Sequence, residues 1–354
     1  MKSHLFTPLE LGPVTVPNRI CVPPMCMCMA KSGIVQIFHK IHYSELAVSG
    51  AGAVTVEATA VRPDGRITDA DLGLWTDDHV AGLHRLCEVM REVNPRVKIF
   101  IQLSHAGCKA STKDGRQVPP AEGGWRPVGP SEIALNEGDM PSRELSGEEC
   151  LQVIADFGKA AARAAAAGFD GVQIHAAHGY LLHEFLSPLT NHRIDGFGGA
   201  REGRMKFPLA VIDAVKESVP ESMAVGLRLS ATDWASDGIT PEDAAVFARA
   251  AKDHGVHWLD VSAGGLAPAA MTAGPGWLVA FAAGIRREVG LPTYAVGGIT
   301  SPAQAETILI TGAADGVDVG RGMLDDPRWG WHAARALGET DLPMPTQVRL
   351  AQSR

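Results

Sequence analysis

Eight short apolar runs, each bounded by glycine, proline or polar residues, recur along the chain: 19–23, 53–58, 98–103, 171–175, 224–229, 258–262, 293–296 and 316–319. Runs that are apolar throughout belong to strands buried on both faces, as in parallel sheets. Helix-forming stretches separate them, and eight is the strand number that closes a (β/α)₈ barrel. An open doubly wound sheet is the runner-up. The alanine-rich stretch 151–167 and the stretch 241–254 are each followed by glycine, Gly168 and Gly255, as helix ends require. Thr240-Pro241-Glu242-Asp243 reads as a helix start: a capping hydroxyl, a proline in the first turn, then acids at the positive end of the dipole.

The 354 residues suit one such barrel, expected to span 1–354. The stretch 111–145 lacks periodicity and is expected to run over one face as a loop excursion; 340–354 reads as a C-terminal arm. A hydrophobic fraction of 45% and a charged fraction of 20% describe an ordinary globular interior. With a net charge of -8, the chain lacks the electrostatic footprint of a nucleic-acid or anionic-membrane binder. A small-molecule substrate is expected. No run reaches the ~20 apolar residues of a membrane span, and Glu10 and the early prolines interrupt any signal-peptide core, so the expected location is cytoplasmic. Six cysteines in so long a chain imply free thiols rather than a disulfide scaffold.

Catalytic groups of such barrels sit at the C-terminal ends of strands. That rule singles out Pro24, Met25 and Cys26 after the first run, Ala60 after the second, Gln102 and Lys109 around the third, and His175, His178 and Tyr180 after the fourth. Arg228 lies within the fifth. Gly297-Gly298 and Gly320-Arg321 end the last two, the usual phosphate position of this architecture, where glycine lets backbone N–H groups approach an anion and arginine adds a fork of donors. No GxGxxG follows the first run, so a Rossmann-bound dinucleotide is unsupported.

The histidines admit more than one reading. HxxH could chelate a metal with His183 or His192, which would make a metal-dependent hydrolase. Two imidazole N–H donors could instead hold an oxygen on which negative charge develops, with Tyr180 delivering a proton; His183 and His192 would then serve packing. Cys26 is either an apolar filler or, given a polarising neighbour, a reactive thiol.

These residues resemble the Old Yellow Enzyme flavoproteins, specifically the shorter class that includes thermophilic-like ene-reductases and xenobiotic reductases. The resemblance runs from LFTPLELGPVTVPNRICVPPMC through IQLSHAGCKA and IHAAHGYLLHEFLSPLTNHRIDGFGG to AVGGI and VGRGML. It implies one non-covalent FMN, with Pro24, Met25, Cys26, Ala60 and Gln102 along its ring, Arg228 by N1 and O2, and Gly297, Gly298, Gly320 and Arg321 on its phosphate. Lys109 would lie near the dimethylbenzene end. NADPH or NADH would pass a hydride to flavin N5. An α,β-unsaturated carbonyl, imide or nitro compound would then accept it, its oxygen between His175 and His178, with Tyr180 as proton donor and Cys26 and Cys28 lining the substrate side. A homodimer or homotetramer is implied.

Three positions depart from that pattern. Cys28 stands where relatives carry tyrosine, Cys108 where they carry the arginine of HAGRKA, and Gly203 where they carry asparagine. The family's C-terminal arginine, which reaches a partner's site, has no clear counterpart in Arg349 or Arg354. An amine dehydrogenase and a flavin redox sensor working through Cys26 remain as rival flavoprotein readings.

Overall fold

The computed structural model describes residues 3–267, 273–340 and 346–352. Eight parallel strands close into a barrel: β1 (Ile20–Val22), β2 (Ala53–Ala60), β3 (Lys98–Ser104), β4 (Gly171–Ala176), β5 (Ala224–Ser230), β6 (Trp258–Ser262), β7 (Thr293–Ala295) and β8 (Gly316–Asp318). Each pairs with its sequence neighbour, and β8 pairs with β1. All eight expected strands are present, with ends displaced by one or two residues. Helices α1 (Ile37–Ala47), α2 (Asp78–Val93), α3 (Gly147–Ala166), α4 (Arg201–Ser218), α5 (Pro241–Asp253), α6 (Val279–Val289), α7 (Pro302–Ile310) and α8 (Trp329–Ala336) alternate with the strands or follow the last.

Helix α3 starts four residues before the expected position. The Ser146 hydroxyl accepts from Glu149 N–H while the Glu149 carboxylate accepts from Ser146 N–H, a capping box that carries the helix beyond its apolar pattern. The predicted start of α5 is present in the same form, with Thr240 and Asp243 as the reciprocal pair.

The strands depart from the expectation in one respect that positions the site. Both faces are buried, but they differ in chemistry. Outward residues such as Val172, Ile174, Leu227 and Leu229 are apolar and meet the helices. Inward residues form layers. At the N-terminal end, Cys21, Ala53, Phe100, Ala224, Trp258 and Tyr294 make an apolar floor, sealed by a hairpin of Leu9–Leu11 and Val14–Val16. Gly226 is required there because a Cβ would stand 2.1 Å from the Trp258 indole. Above the floor lies a buried polar layer: Gln102, Gln173, Arg228, Asp260 and Asp318. Alternation with period two places these five on the inner wall.

The excursion holds two short strand pairs, Thr112–Lys113 with Arg116–Gln117 and Val128–Gly129 with Arg143–Glu144. Trp125 Nε1 donates to Asp64 O at 2.9 Å, and the Arg66 guanidinium sits 4.7 Å from its ring centroid, fastening the excursion to the loop after β2.

Candidate active site

The barrel register sets His175 opposite Arg228 across the β4–β5 pair, and Arg228 opposite Asp260 across β5–β6. One ring of the wall therefore carries an imidazole, a guanidinium and a carboxyl side by side. Just beyond β4 the chain turns sharply; His178 adopts φ 61°, a left-handed conformation uncommon for a residue with a side chain. Three contacts hold that turn. His178 N–H donates to Ser230 Oγ at 3.0 Å, Lys109 Nζ donates to His178 O at 2.7 Å, and the same ammonium group donates to Gly265 O. Gly265 lies so close that a Cβ would fall 2.0 Å from the His178 carbonyl carbon.

The turn brings His175, His178 and Tyr180 together. The two imidazoles stand 5.2 Å apart at 89°, and the Tyr180 ring lies 4.8 Å from His175. His175 Nδ1 accepts from Ala177 N–H at 3.3 Å, so the neutral ring carries its proton on Nε2, which has no partner among the described residues. His178 Nε2 lies 2.7 Å from Ser262 Oγ. With the hydroxyl donating, the ring's proton resides on Nδ1 and is free for a ligand. Burial, then the neighbouring histidine and Arg228, drive the His175 pKa well below its ordinary value; burial and Arg228 do the same for His178. Both rings are thus neutral donors. Burial pushes the Tyr180 hydroxyl up, so it keeps its proton at neutral pH.

The other histidines are placed apart. His183 Nδ1 accepts from Gly179 N–H at 2.8 Å and its Nε2 lies 2.9 Å from Asp233 Oδ1, a fully buried pairing that holds the short helix Leu181–Leu186 in place. His192 is exposed, with its backbone bound to Ser131.

At the opposite rim, Gly297 and Gly298 follow β7 with φ of 108° and 66°, and a Cβ on Gly298 would lie 2.3 Å from Gly274 O. Gly320 follows β8 and abuts Pro23 and Met25, joining this end to the wall after β1. Arg321 is exposed, and its side chain has no hydrogen bond or ion pair among the described residues. A glycine cradle with an exposed arginine at one end, and the polar groups of Gln102 and Arg228 on the inner wall, fit a flat polar ring bearing an anionic tail.

The profile of the NADH:flavin oxidoreductase / NADH oxidase family matches residues 4–339. The chain belongs to this family. It is 44% identical to the NADPH dehydrogenase of Geobacillus thermodenitrificans (strain NG80-2) over 340 residues, 96% of each chain. It is 43% identical to the NADPH dehydrogenase of Bacillus subtilis (strain 168) over 349 residues, 98% of each. Morphinone reductase superposes with a TM-score of 0.78 at 27% identity, over 98% of this chain and 92% of that one. The Old Yellow Enzyme reading therefore stands: the chain is an FMN-dependent oxidoreductase with a nicotinamide reductant, on a (β/α)₈ barrel. The family assignment speaks for flavin chemistry, not metal-dependent hydrolysis.

Within this NADH:flavin oxidoreductase frame, the positions that depart from the pattern acquire physical surroundings. Cys26 opens onto the mouth, but burial and the Asp71 and Glu57 carboxyls raise its thiol pKa well above the ordinary value. The charged groups that act on it most strongly are carboxyls rather than cations, which speaks against a reactive thiolate and the sensor reading. Cys28, at φ 52°, turns its thiol toward Asp71, with Sγ 4.0 Å from Oδ1. At Cys108, Glu184 Oε1 accepts from Cys108 N–H at 2.7 Å, while Oε2 is buried with no hydrogen-bond partner among the described residues. Gly203 lies where a Cβ would meet Gly198 O at 2.1 Å, so the loop before α4 is closed tightly on the helix.

Strand-end reasoning missed Ser230 and Ser262, which orient His178, and the acids Glu57, Asp260 and Asp318. A signal was present for Gln173, Asp260 and Asp318, polar residues in the middle of otherwise apolar runs. Arg349's side chain and Arg354 lie outside the described residues.

Proposed function

We propose that the protein is an ene-reductase acting on α,β-unsaturated aldehydes, ketones, imides or nitroalkenes, with NADPH or NADH as electron source. The observation that carries this reading is the pair of neutral imidazoles at the barrel mouth, each with one ring nitrogen free of partners among the described residues and with a protonated Tyr180 beside them. FMN, when bound, relays hydride from the nicotinamide to the alkene. His175 and His178 hold the substrate oxygen and draw charge onto it, which leaves the β-carbon electron-poor. Tyr180 keeps a proton available for the α-carbon because burial disfavours its ionised form. Arg228 and Gln102 meet the cofactor's polar edge. Pro24, Met25, Cys26 and Ala60 wall its ring, Gly297, Gly298, Gly320 and Arg321 take the phosphate, and Cys26 and Cys28 border the substrate side.

The purified protein should be yellow and release FMN on denaturation. Under anaerobic conditions NADPH should bleach it, and 2-cyclohexenone or maleimide should restore the colour. Bleaching with no recovery by either alkene would sink the ene-reductase assignment while leaving the flavin in place.

A homodimer or homotetramer fits the surface of α1. Ile37 and Ile41 are 71% and 65% exposed on one face, with Ile34 and Met29 beside them, an apolar row adjoining the mouth. The double variant Ile37→Glu/Ile41→Glu should shift the mass measured by light scattering toward the monomer; an unchanged mass would place the interface elsewhere. A cytoplasmic, reducing location agrees with six free cysteines; a sulfhydryl titration of fresh lysate protein unfolded in denaturant, which opens the four buried thiols, would contradict it by showing fewer than six. Among the described residues no helix is long and apolar enough to cross a membrane.

A further inference from the structure

Directly beneath the histidines the barrel wall holds two acids against one base. Arg228 Nε lies 2.8 Å from Asp260 Oδ2, and Gln173 Nε2 donates to the same oxygen at 3.3 Å. Asp318, two strands away across β7, points into the same inner layer as Asp260, as side chains of alternate barrel strands do, and lies within reach of its charge. Asp260 and Asp318 are 1% and 3% exposed. One oxygen on each, Asp260 Oδ1 and Asp318 Oδ2, is buried with no donor. Two carboxylates offer only acceptors, so as ions neither could satisfy the other; a single proton between them satisfies both. Two adjacent anions in a dry interior also repel strongly, and Arg228 balances only one of them.

We propose that Asp318 retains a proton and donates it to Asp260, making the two acids a positioning pair that fixes Arg228 and balances its charge one for one. Burial and the Asp260 charge both push the Asp318 pKa well above the carboxylate range, in agreement. The Cys21 thiol, a hydrogen-bonding neighbour of Asp318, and Tyr294 are both held protonated by burial; Arg19 and Asp315 lie beyond Tyr294, and the neutral His175 and His178 face Arg228 from above. Asp260 is thereby committed to Nε. The Arg228 Nη groups, for which no partner is found among the described residues, are left for the ligand in the mouth. This inference rests on the FMN reading of that ligand.

The test separates the two. Asp318→Asn keeps a neutral donor toward Asp260, so the ratio of affinities for reduced and oxidised FMN should stay within about twofold of the unsubstituted holoenzyme. Asp260→Asn/Asp318→Asn removes the balancing charge. It should favour the reduced cofactor, which gains negative charge, by about tenfold, a rise of about 30 mV in a two-electron potential. A rise with Asp318→Asn alone would mean that both acids are ionised, and no rise with the double variant would mean that neither is; either result overturns the shared proton. Infrared spectroscopy gives a reading independent of the flavin. The carboxylic acid C=O stretch of Asp318 should disappear in Asp318→Asn, and its absence from the unsubstituted protein would overturn the proposal. Protein that binds no FMN would instead defeat the cofactor reading, with the infrared band still deciding the proton.

Discussion

Replacing both His175 and His178 with alanine should lower turnover of 2-cyclohexenone by at least about 100-fold, since loss of one preorganised donor to a developing oxyanion costs about 100- to 1,000-fold. Affinity for phenol should fall in parallel, by about 30-fold, as expected for two lost hydrogen bonds of about 1 kcal/mol each. Phenol presents an oxygen on a flat ring and has no activated alkene, so it reads the oxygen site without the chemistry. The geometry argues for a joint effect. His175 Nε2 carries a proton because Nδ1 is occupied by Ala177 N–H, and Ser262 fixes the second ring 5.2 Å away. The cofactor contacts proposed above come from other residues, Arg228, Gln102 and the glycine cradle among them, so FMN content should survive. Unchanged phenol affinity in a protein that still carries FMN would remove the pair from the oxygen-binding role.

The second large effect concerns stability and pH. Burial raises the Glu184 carboxyl from an ordinary 4.5 to about 8, and the Lys109 charge does not offset it. A carboxyl with a raised native pKa binds its proton more tightly in the folded than in the unfolded chain. Its contribution is therefore fully present below about 4.5 and is lost as pH rises through about 8. Over that window the loss accumulates at about 1.4 kcal/mol per pH unit. Glu184→Gln keeps an acceptor for Cys108 N–H and cannot ionise. Its stability relative to the unsubstituted protein should improve by about 3 kcal/mol between pH 5.5 and pH 7.5, measured by urea unfolding. Parallel pH profiles would show that Glu184 ionises in the fold without penalty. Glu57, raised to about 7 by burial, contributes the same sign over a narrower range. The buried histidines act oppositely: His105, lowered to about 4 by desolvation, costs stability as pH falls below about 6.5.

Much of the site was legible because barrel geometry converts position along the chain into position in space. A polar residue just after an apolar run must stand at the mouth, so His175, Gly297 and Gly320 could be placed from sequence. The resemblance then supplied roles that spacing could not. Cys26 shows the limit of that route. Its place after β1 was readable, but its chemistry depends on Glu57 and Asp71, which come from β2 and the loop after it.

The sequence by itself determined the eight strands, their order, the helix starts at Thr240 and the ends at Gly168 and Gly255, because these depend on local periodicity and on neighbours within a few residues. Only the tertiary structure decided which residue faces which. Inter-strand register set Arg228 between His175 and Asp260 and carried Asp318 to Asp260 across an intervening strand. It also turned the inner wall from the apolar lining read in the runs into a polar layer on an apolar floor. The tautomer of His175, the proton on Tyr180 and the unpartnered oxygen of Glu184 follow from burial and from groups distant in the chain. Charge in a dry interior is governed by what lies within a few ångströms, and that proximity is created by closing the barrel.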